Sequence, residues 1–270
     1  MFDAYLKRWQ LTLDGQPFAS LNGVLVPVRR GDVRAMLKVS RSAQEKAGAR
    51  LLAWWEGAGA APVLAMDDDA VLMLRASDGE SLEQWVRAGR DDAATRTICR
   101  VVARLHAHRS ENAVPALVPL ARAFESLHRT AASHGGVMTQ CASIAAQLLA
   151  NPRDEGVLHG DVHHANILHF GQAGWLAIDP KGLYGERGFD YANLFCNPEL
   201  RQASRPEVFR RRIEIVSGMA NILEVRLLQW ILAWAGLSAA WRIEDGEDPA
   251  GVLALAAKVA QALSGQADGA

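Results

Sequence analysis

Three polar side chains with fixed spacing stand near the middle of the chain. Asp161 is followed five positions later by Asn166, and Asp179 comes thirteen positions after Asn166. Phosphoryl transfer requires oxygen ligands for Mg²⁺ on the nucleotide phosphates, and a separate carboxylate that accepts the proton of the attacking hydroxyl. One amide and two acids can supply these groups. The spacing therefore predicts a site for ATP and Mg²⁺.

The residues between Asn166 and Asp179 predict a β-hairpin. Two short apolar runs, 168–170 and 175–178, are separated by the turn-forming residues 171–174. Asn166 then precedes the first strand and Asp179 follows the second. A tight turn would therefore bring both side chains to the same end of the hairpin.

A zinc-dependent hydrolase is an alternative interpretation of the same stretch. Histidine and acid side chains alternate there in a way that could ligate zinc, at His159, Asp161, His163 and His164. That interpretation leaves the amide and the second acid unexplained and needs more distant ligands. A polar loop without chemistry is weaker still, because burying so many charged groups without a purpose is costly.

The stretch resembles the catalytic loop of the protein-kinase-like phosphotransferases. In the small-molecule branch of that family the loop sequence begins His-Gly-Asp, as it does at residues 159–161 here. The resemblance implies that Asp161 is the catalytic base and that Asn166 and Asp179 hold Mg²⁺. It also implies that His159 supports the loop.

Two positions depart from the protein-kinase pattern. His163 stands where protein kinases carry a lysine that reaches the transferred phosphate, so the resemblance implies that His163 helps to neutralise charge there. Residues 180–182 read Pro-Lys-Gly instead of continuing with Phe-Gly. The phenylalanine-based switch of protein kinases is therefore expected to be absent.

Near the N-terminus, Lys38 and Glu45 form a second pattern. Residues 23–30 and 33–39 predict a hairpin, with Lys38 on the face opposite its apolar neighbours. Ser42 is predicted to cap the following helix, and Glu45 lies in its first turn. Lys38 alone would fit an exposed edge strand. The resemblance implies instead an ion pair with Glu45 that orients Lys38 toward the α- and β-phosphates.

The remaining nucleotide contacts are expected in residues 17–23 and at a hinge over residues 75–77. No GxGxxG motif is present, but backbone N–H groups of Ser20, Leu21 and Asn22 could cradle phosphates. By resemblance, adenine would bond to the hinge backbone, which places Leu74 and Ala76 among the nucleotide contacts. Met73 fits either an adenine contact or plain core.

Composition limits the possible partners. The chain has 270 residues, half of them hydrophobic, and a net charge of −1. This balance disfavours a nucleic-acid partner, and the absence of both a signal peptide and a long apolar span disfavours a membrane. Three dispersed cysteines indicate reduced thiols. We expect a cytoplasmic protein that binds a small-molecule substrate, with no obligate protein partner evident.

The segment after Asp179 narrows the resemblance. Residues 179–193, and residues 237–247 near the C-terminus, resemble the streptomycin 6-phosphotransferase branch of the aminoglycoside and hydroxyurea resistance kinases. The resemblance implies transfer of phosphate from ATP to a hydroxyl of an aminoglycoside-type molecule, with streptomycin as the expected acceptor. A metabolic kinase for a sugar or amino alcohol, and a nucleotide-binding protein without turnover, remain alternatives.

Four residues are predicted to serve the substrate: Glu186, Asp190, Trp241 and Asp245. Asp190 is also expected to brace the catalytic loop through backbone N–H groups. Acids over residues 244–248 would attract a cationic acceptor, although such runs are commonly solvated loops. Trp241 fits either stacking on a sugar or packing in the core.

The fold class that follows is α/β (α+β), a two-lobed protein-kinase-like fold. Residues 1–75 would form a small antiparallel sheet lobe that binds nucleotide, and residues 76–270 a larger helical lobe with the catalytic and substrate sites. A disordered tail is expected over residues 264–270, where small residues dominate.

Overall fold

The computed structural model describes residues 2–20 and 22–267. Its N-terminal part is a sheet with two helices. The elements in chain order are α1 (Asp3–Arg8), β1 (Thr12–Leu13), β2 (Phe18–Ser20), β3 (Gly23–Arg30), β4 (Val33–Val39), α2 (Ala43–Trp54), β5 (Val63–Met66) and β6 (Ala70–Leu74).

Strands β1–β6 form one antiparallel sheet in the order β1-β3-β4-β6-β5, with β2 paired to β3. The predicted hairpin is confirmed, since Arg30 pairs with Val33 across the turn. Along β4, Ala35 and Leu37 are fully buried, whereas Lys38 is half-buried on the opposite face. The alternation of the strand therefore directs Lys38 away from the apolar core.

Helix α2 carries Glu45 and packs closely on the chain after Asp179. A Cβ atom added at Gly48 would stand 2.2 Å from the carbonyl oxygen of Pro180, so this approach requires glycine. Ser42 occupies the N-cap position, but its side chain makes no capping bond, and the predicted cap is therefore wrong. Its backbone N–H donates instead to Ser40 Oγ at 3.2 Å.

The C-terminal part is mainly helical. Its elements are α3 (Leu82–Arg87), α4 (Asp91–Ala107), β7 (Val118–Pro119), α5 (Leu120–Ala123), α6 (Glu125–His134), α7 (Val137–Ala150), β8 (Glu155–Leu158), β9 (Ile167–His169), β10 (Trp175–Ala177), β11 (Leu183–Glu186), α8 (Phe189–Ala192), α9 (Leu200–Ala203), α10 (Pro206–Ala220), α11 (Glu224–Glu244) and α12 (Ala250–Ala267). The expected disordered tail is wrong over residues 264–267, which end α12, while residues 268–270 lie outside the described chain.

Strands β9 and β10 confirm the hairpin predicted between the amide and the second acid. They pair antiparallel, with Ala177 opposite Ile167 and Trp175 opposite His169. The backbone N–H of Ile178 donates to the carbonyl of Asn166 at 2.9 Å. This bond holds the residue before Asp179 against Asn166, so both side chains stand at one end of the hairpin.

One apolar cluster joins the two parts of the chain. It contains Leu51 and Trp55 of the α2 region together with Leu105 of α4 and Trp230 of α11. A separate apolar cluster is formed by Val26 and other buried residues of the sheet strands. The shared core fixes α2 relative to the helical part. The proposed boundary at residue 75 stays a prediction.

Within the described residues, no single helix is long and apolar enough to cross a membrane; α10 and α11 reach the length and composition only as a pair, bent by 116°.

The three cysteines are free thiols, and Cys99 and Cys141 are buried.

Candidate active site

The catalytic loop is fixed from behind by Asp190. Its Oδ2 accepts the backbone N–H of His159 at 2.9 Å, and its Oδ1 accepts that of Gly160 at 2.7 Å. Nε2 of His106 lies 2.8 Å from the same Oδ2. Burial alone would raise the pKa of Asp190, but the bonds from His106 and the loop outweigh it and lower the pKa. A charged, fully bonded Asp190 therefore braces the loop, as expected.

Asp161 projects from this loop with its carboxylate held by two amides. Oδ1 accepts from Asn193 Nδ2 at 2.9 Å, and Oδ2 accepts from Asn166 Nδ2 at 3.2 Å. The side chain is 30% exposed. A carboxylate fixed in this way keeps its orientation and can still receive a proton from a bound hydroxyl.

The carboxylate of Asp179 lies between the side chains of two lysines. Lys38 Nζ lies 2.5 Å from its Oδ1, and Lys181 Nζ lies 2.8 Å from its Oδ2. Burial would raise the pKa of Asp179, but the two ammonium groups lower it to about 2. Its φ of 62° is in the left-handed region, which is uncommon for a residue with a side chain and recurs at functional sites.

Lys38 makes the predicted ion pair with Glu45, and its Nζ also contacts Asp179. The lysine side chain is 14% exposed and that of Glu45 is 11% exposed, so the pair is shielded from solvent. The structure therefore excludes the interpretation of Lys38 as an exposed edge-strand lysine. The pair ties α2 to the sheet and directs the ammonium to the polar end of the site.

His159 supports the loop as expected. Its Nε2 donates to the carbonyl of Ile178 at 2.8 Å, and its ring stacks on Trp55 with 6.2 Å between ring centroids. His163 Nε2 lies 3.8 Å from Asp161 Oδ1, but burial lowers the pKa of His163. A neutral imidazole supplies no fixed positive charge, so the predicted neutralising role of His163 is not supported by the structure.

Among the described residues, no group of three or more His, Cys, Asp or Glu side chains is arranged to hold a metal ion. His164 is buried, and within the part of the chain that the structure describes neither of its ring nitrogens has a hydrogen-bond partner. The zinc alternative therefore fails on geometry. One carboxylate and one amide oxygen at one end of the β9–β10 hairpin fit Mg²⁺ instead, because Mg²⁺ takes few protein ligands and can complete its shell with phosphate oxygens and water.

A cleft of about 700 Å³ leads away from Asn166 and Asp179. Its walls are mainly apolar and its inner end is charged. The lining residues include Phe18, Leu25, Met36, Met73, Leu168, Phe170 and Ile178, with Ser20, Lys38, Leu74 and Ala76. An apolar cleft that ends in Lys38, Asn166 and Asp179 matches an aromatic base with a phosphate tail.

The hinge leaves one backbone position available at the mouth of this cleft. Leu74 N–H donates to Pro62 and Ser77 N–H donates to His169. Within the described residues, the N–H and carbonyl groups of Ala76 have no hydrogen-bond partner. Ala76 therefore presents the donor and acceptor that an adenine edge needs. The cradle predicted for Leu21 lies outside the described residues.

Two predicted substrate residues are instead structural. The side chain of Asp190 is fully buried behind the loop. Glu186 is 4% exposed and accepts bonds from Arg226, from Trp230 Nε1 at 2.7 Å and from the backbone N–H of Arg153 at 2.9 Å. Because these carboxylates are enclosed and fully bonded, neither can contact an acceptor, and both predictions are wrong.

Trp241 and Asp245 are exposed near the C-terminal end of α11. Trp241 lies eleven residues beyond Trp230, which packs against Phe189. Eleven residues of helix correspond to roughly 16 Å. In the described chain no hydrogen bond, ion pair or ring contact joins Trp241 or Asp245 to the catalytic loop, and their role toward the substrate stays a prediction.

Two site residues were not predicted. Lys181 Nζ lies 3.5 Å from Asp161 Oδ2 as well as 2.8 Å from Asp179. Asn193 donates to Asp161, and it follows Asp190 by three positions at the end of α8. Residues three apart on a helix share a face. That spacing would have indicated Asn193, whereas Lys181 carries no comparable signal.

Comparison with known proteins agrees with this geometry. Residues 8–246 match the family described as aminoglycoside/hydroxyurea antibiotic resistance kinase. The streptomycin 3''-kinase of Klebsiella pneumoniae is 50% identical, over 89% of this chain and 92% of its own. The streptomycin 6-kinase of Streptomyces glaucescens is 30% identical, over 98% of this chain and 89% of its own.

A solved relative supports the fold class. A thermostable mutant of aminoglycoside phosphotransferase APH(4)-Ia, solved with ADP and hygromycin B, aligns with a TM-score of 0.65 at 12% identity. The alignment covers 97% of this chain and 96% of that one. The predicted two-lobed protein-kinase-like fold, with an antiparallel sheet followed by helices, is confirmed.

Proposed function

Because this chain belongs to the aminoglycoside/hydroxyurea antibiotic resistance kinase family and is a phosphotransferase with an alcohol group as acceptor, we propose that its acceptor is streptomycin. The hydroxyl that we assign is the 3''-hydroxyl, and the phosphoryl donor is ATP. The observation that carries this assignment is the 50% identity, over most of both chains, to a streptomycin 3''-kinase.

In this proposal the nucleotide occupies the 700 Å³ cleft, with its base against the apolar walls and its edge on Ala76. Lys38, fixed by Glu45, binds the α- and β-phosphates. Asn166 and Asp179 would hold Mg²⁺, which would offset negative charge on the phosphates during transfer of the γ-phosphoryl group. Ser20 lines the same cleft and contributes to the cover over the nucleotide.

Asp161 acts as the base. Its carboxylate accepts the proton of the acceptor hydroxyl while the hydroxyl oxygen forms a bond to the γ-phosphorus. The bond from that phosphorus to the bridging oxygen breaks, and the electron pair leaves with ADP. Asn193 and Asn166 hold the Asp161 carboxylate during this step, so the geometry of proton transfer is set before the substrate binds.

We propose that one chain carries out the reaction, because the proposed base, metal ligands and phosphate-binding lysine all lie on it. The cytoplasm is the compartment that we propose, because ATP is the donor. Trp241 and Asp245 remain candidates for contact with the cationic acceptor.

The experiment is to incubate the purified protein with Mg²⁺-ATP and streptomycin, to measure ADP release, and to locate the phosphate on the product by NMR. Asp161→Asn is the inactive comparison. We expect 3''-phosphostreptomycin. Phosphate on the 6-hydroxyl would instead assign the activity of the streptomycin 6-kinase relative to this chain. Turnover only with a sugar, an amino alcohol or another aminoglycoside would refute streptomycin, and nucleotide binding without turnover on any acceptor would refute the proposed reaction.

A further inference from the structure

Lys181 places a positive charge between the two acids of the site. Its Nζ lies 2.8 Å from Asp179 Oδ2 and 3.5 Å from Asp161 Oδ2, and the side chain is 24% exposed. In the proposed mechanism the nucleotide phosphates lie at Asp179 and the acceptor hydroxyl lies at Asp161. A group that passes from one to the other must therefore cross the space that the Lys181 ammonium faces.

Two other basic side chains lie near this gap, but neither is paired with both acids. Lys38 is held by Glu45 and Asp179. His163 is beside Asp161, but burial lowers its pKa. Lys181 is paired with both Asp179 and Asp161, and a lysine side chain ordinarily carries a positive charge at neutral pH.

The backbone fixes Lys181 to the loop that carries the base. Its N–H donates to the carbonyl of His159 at 2.7 Å. Gly160 has a φ of 84°, and a Cβ there would lie 3.2 Å from the Cβ of Lys181 and 2.9 Å from Leu183. The two chain segments pack so closely that the backbone of Lys181 is fixed to the catalytic loop, which carries Asp161. Only the flexible end of the side chain can shift when substrates enter.

We propose that Lys181 is a catalytic residue whose ammonium binds the oxygens of the phosphoryl group during its transfer from ATP to the acceptor bound at Asp161. This assignment rests on the proposed function. The bond from the γ-phosphorus to the bridging oxygen breaks, the bond to the acceptor oxygen forms, the electron pair stays on ADP, and the proton goes to Asp161. Lys181 exchanges no proton; it leaves Asp179 and compensates the charge of the moving group.

The test uses Lys181→Met, Lys181→Arg and a control, Lys258→Met, which changes an exposed lysine on α12. Steady-state kinetics are measured with streptomycin. For Lys181→Met we expect kcat to fall by about 100- to 1000-fold, the usual effect of losing one such donor. KM for streptomycin should change little, because the contact forms with the phosphoryl group. Lys181→Arg should recover part of kcat. Lys258→Met should have the same kcat and KM as the wild-type protein.

A binding measurement separates catalysis from support. The dissociation constants of ADP and of AMP-PNP, each with Mg²⁺, are measured by calorimetry for the same proteins. We expect Lys181→Met to weaken AMP-PNP by about tenfold or more, as for a lost charged hydrogen bond, and to leave ADP nearly unchanged. Equal weakening of both nucleotides would show that Lys181 only positions Asp179 and would overturn the proposal.

The two proposals fail in different ways. If the wild-type protein does not phosphorylate streptomycin, the proposed acceptor is refuted. The comparison of AMP-PNP with ADP needs no acceptor and still decides the role of Lys181. If Lys181→Met does not fold, the arginine variant is the decisive protein. A normal kcat and normal AMP-PNP binding in Lys181→Met would overturn the proposal outright.

Discussion

Two pairs of acids within thirty residues of each other have opposite surroundings. Asp161 and Asp179 have side chains that are 30% and 31% exposed, and both border the gap at the end of the nucleotide cleft. Glu186 and Asp190 are 4% and 0% exposed, and their oxygens accept bonds from the fold itself. The difference separates acids that can meet a ligand from acids that hold the structure together.

The bonding partners sharpen this distinction. Asp161 and Asp179 are held by side chains, namely asparagine amides and lysine ammonium groups, and such bonds can be exchanged for bonds to substrate atoms without breaking the backbone structure. Asp190 is bonded to backbone N–H groups of the loop, which cannot leave without unfolding it. Replacing an acid of the first pair should therefore remove activity and keep the fold, whereas replacing one of the second pair should cost stability first.

The largest loss of activity is expected for Asp179→Ala. The change removes a proposed metal ligand and the charge between Lys38 and Lys181. Loss of several kcal/mol of charge stabilisation corresponds to roughly 10⁴-fold in kcat or more. The measurement is kcat at saturating ATP over a Mg²⁺ series, with circular dichroism to verify folding. Activity within tenfold of the unchanged protein would contradict the assignment of Asp179.

Asp161→Asn should follow, with kcat lowered by roughly 10²- to 10⁴-fold, the usual contribution of a positioned base. The amide keeps the shape of the carboxylate but can accept only one of the two asparagine bonds, so the melting temperature and the binding of ADP should change little. Asp32→Asn, at the exposed turn between β3 and β4, is the matched control. Near-normal turnover in Asp161→Asn would mean that another group takes the proton.

Glu186→Gln should act on the fold. The change removes the buried negative charge that pairs with Arg226, and breaking such an ion pair costs about 3 kcal/mol or more. Urea unfolding measures this loss, and kcat of the folded fraction should stay close to normal. Glu111→Gln, at an exposed position, is the control. A large loss of kcat without any loss of stability would place Glu186 in the active site after all.

The sequence predicted the elements that have local signals. The β3–β4 and β9–β10 hairpins follow from alternating apolar residues around short turns, and the structure has both. The α2 start was predicted at the correct place but for the wrong reason, because Ser42 makes no capping bond. The contact of Gly48 with Pro180 was not predictable, since it joins segments far apart in the chain.

The same limit applies to the site. Asp161, Asn166 and Asp179 could be proposed because their spacing is itself a pattern. Sequence alone could not separate exposed acids from buried ones, so Glu186 and Asp190 were assigned to the substrate; their partners, such as Arg226, come from distant helices. Lys181 was read only as a departure from the protein-kinase pattern, because its importance depends on the fold that brings it to Asp161.

The smallest of the four effects is expected at Asn193, which links the two pairs. It stands at the end of the helix that carries Asp190 and donates to Asp161 Oδ1 at 2.9 Å, while Asn197 Nδ2 bonds its Oδ1 at 2.7 Å. Asn193→Ala removes one bond to a half-exposed carboxylate, so kcat should fall by about tenfold. ADP binding and the melting temperature should change little.

Asn197→Ala provides the graded comparison. It leaves Asn193 in place but frees its side chain, and its effect on kcat should be smaller than that of Asn193→Ala. If Asn193 only supported the helix, both variants would lower the melting temperature and leave kcat of the folded protein unchanged. A loss of kcat without a loss of stability would instead show that the orientation of Asp161 depends on the element that Asp190 anchors, so that the buried acids act on the exposed ones through a single amide.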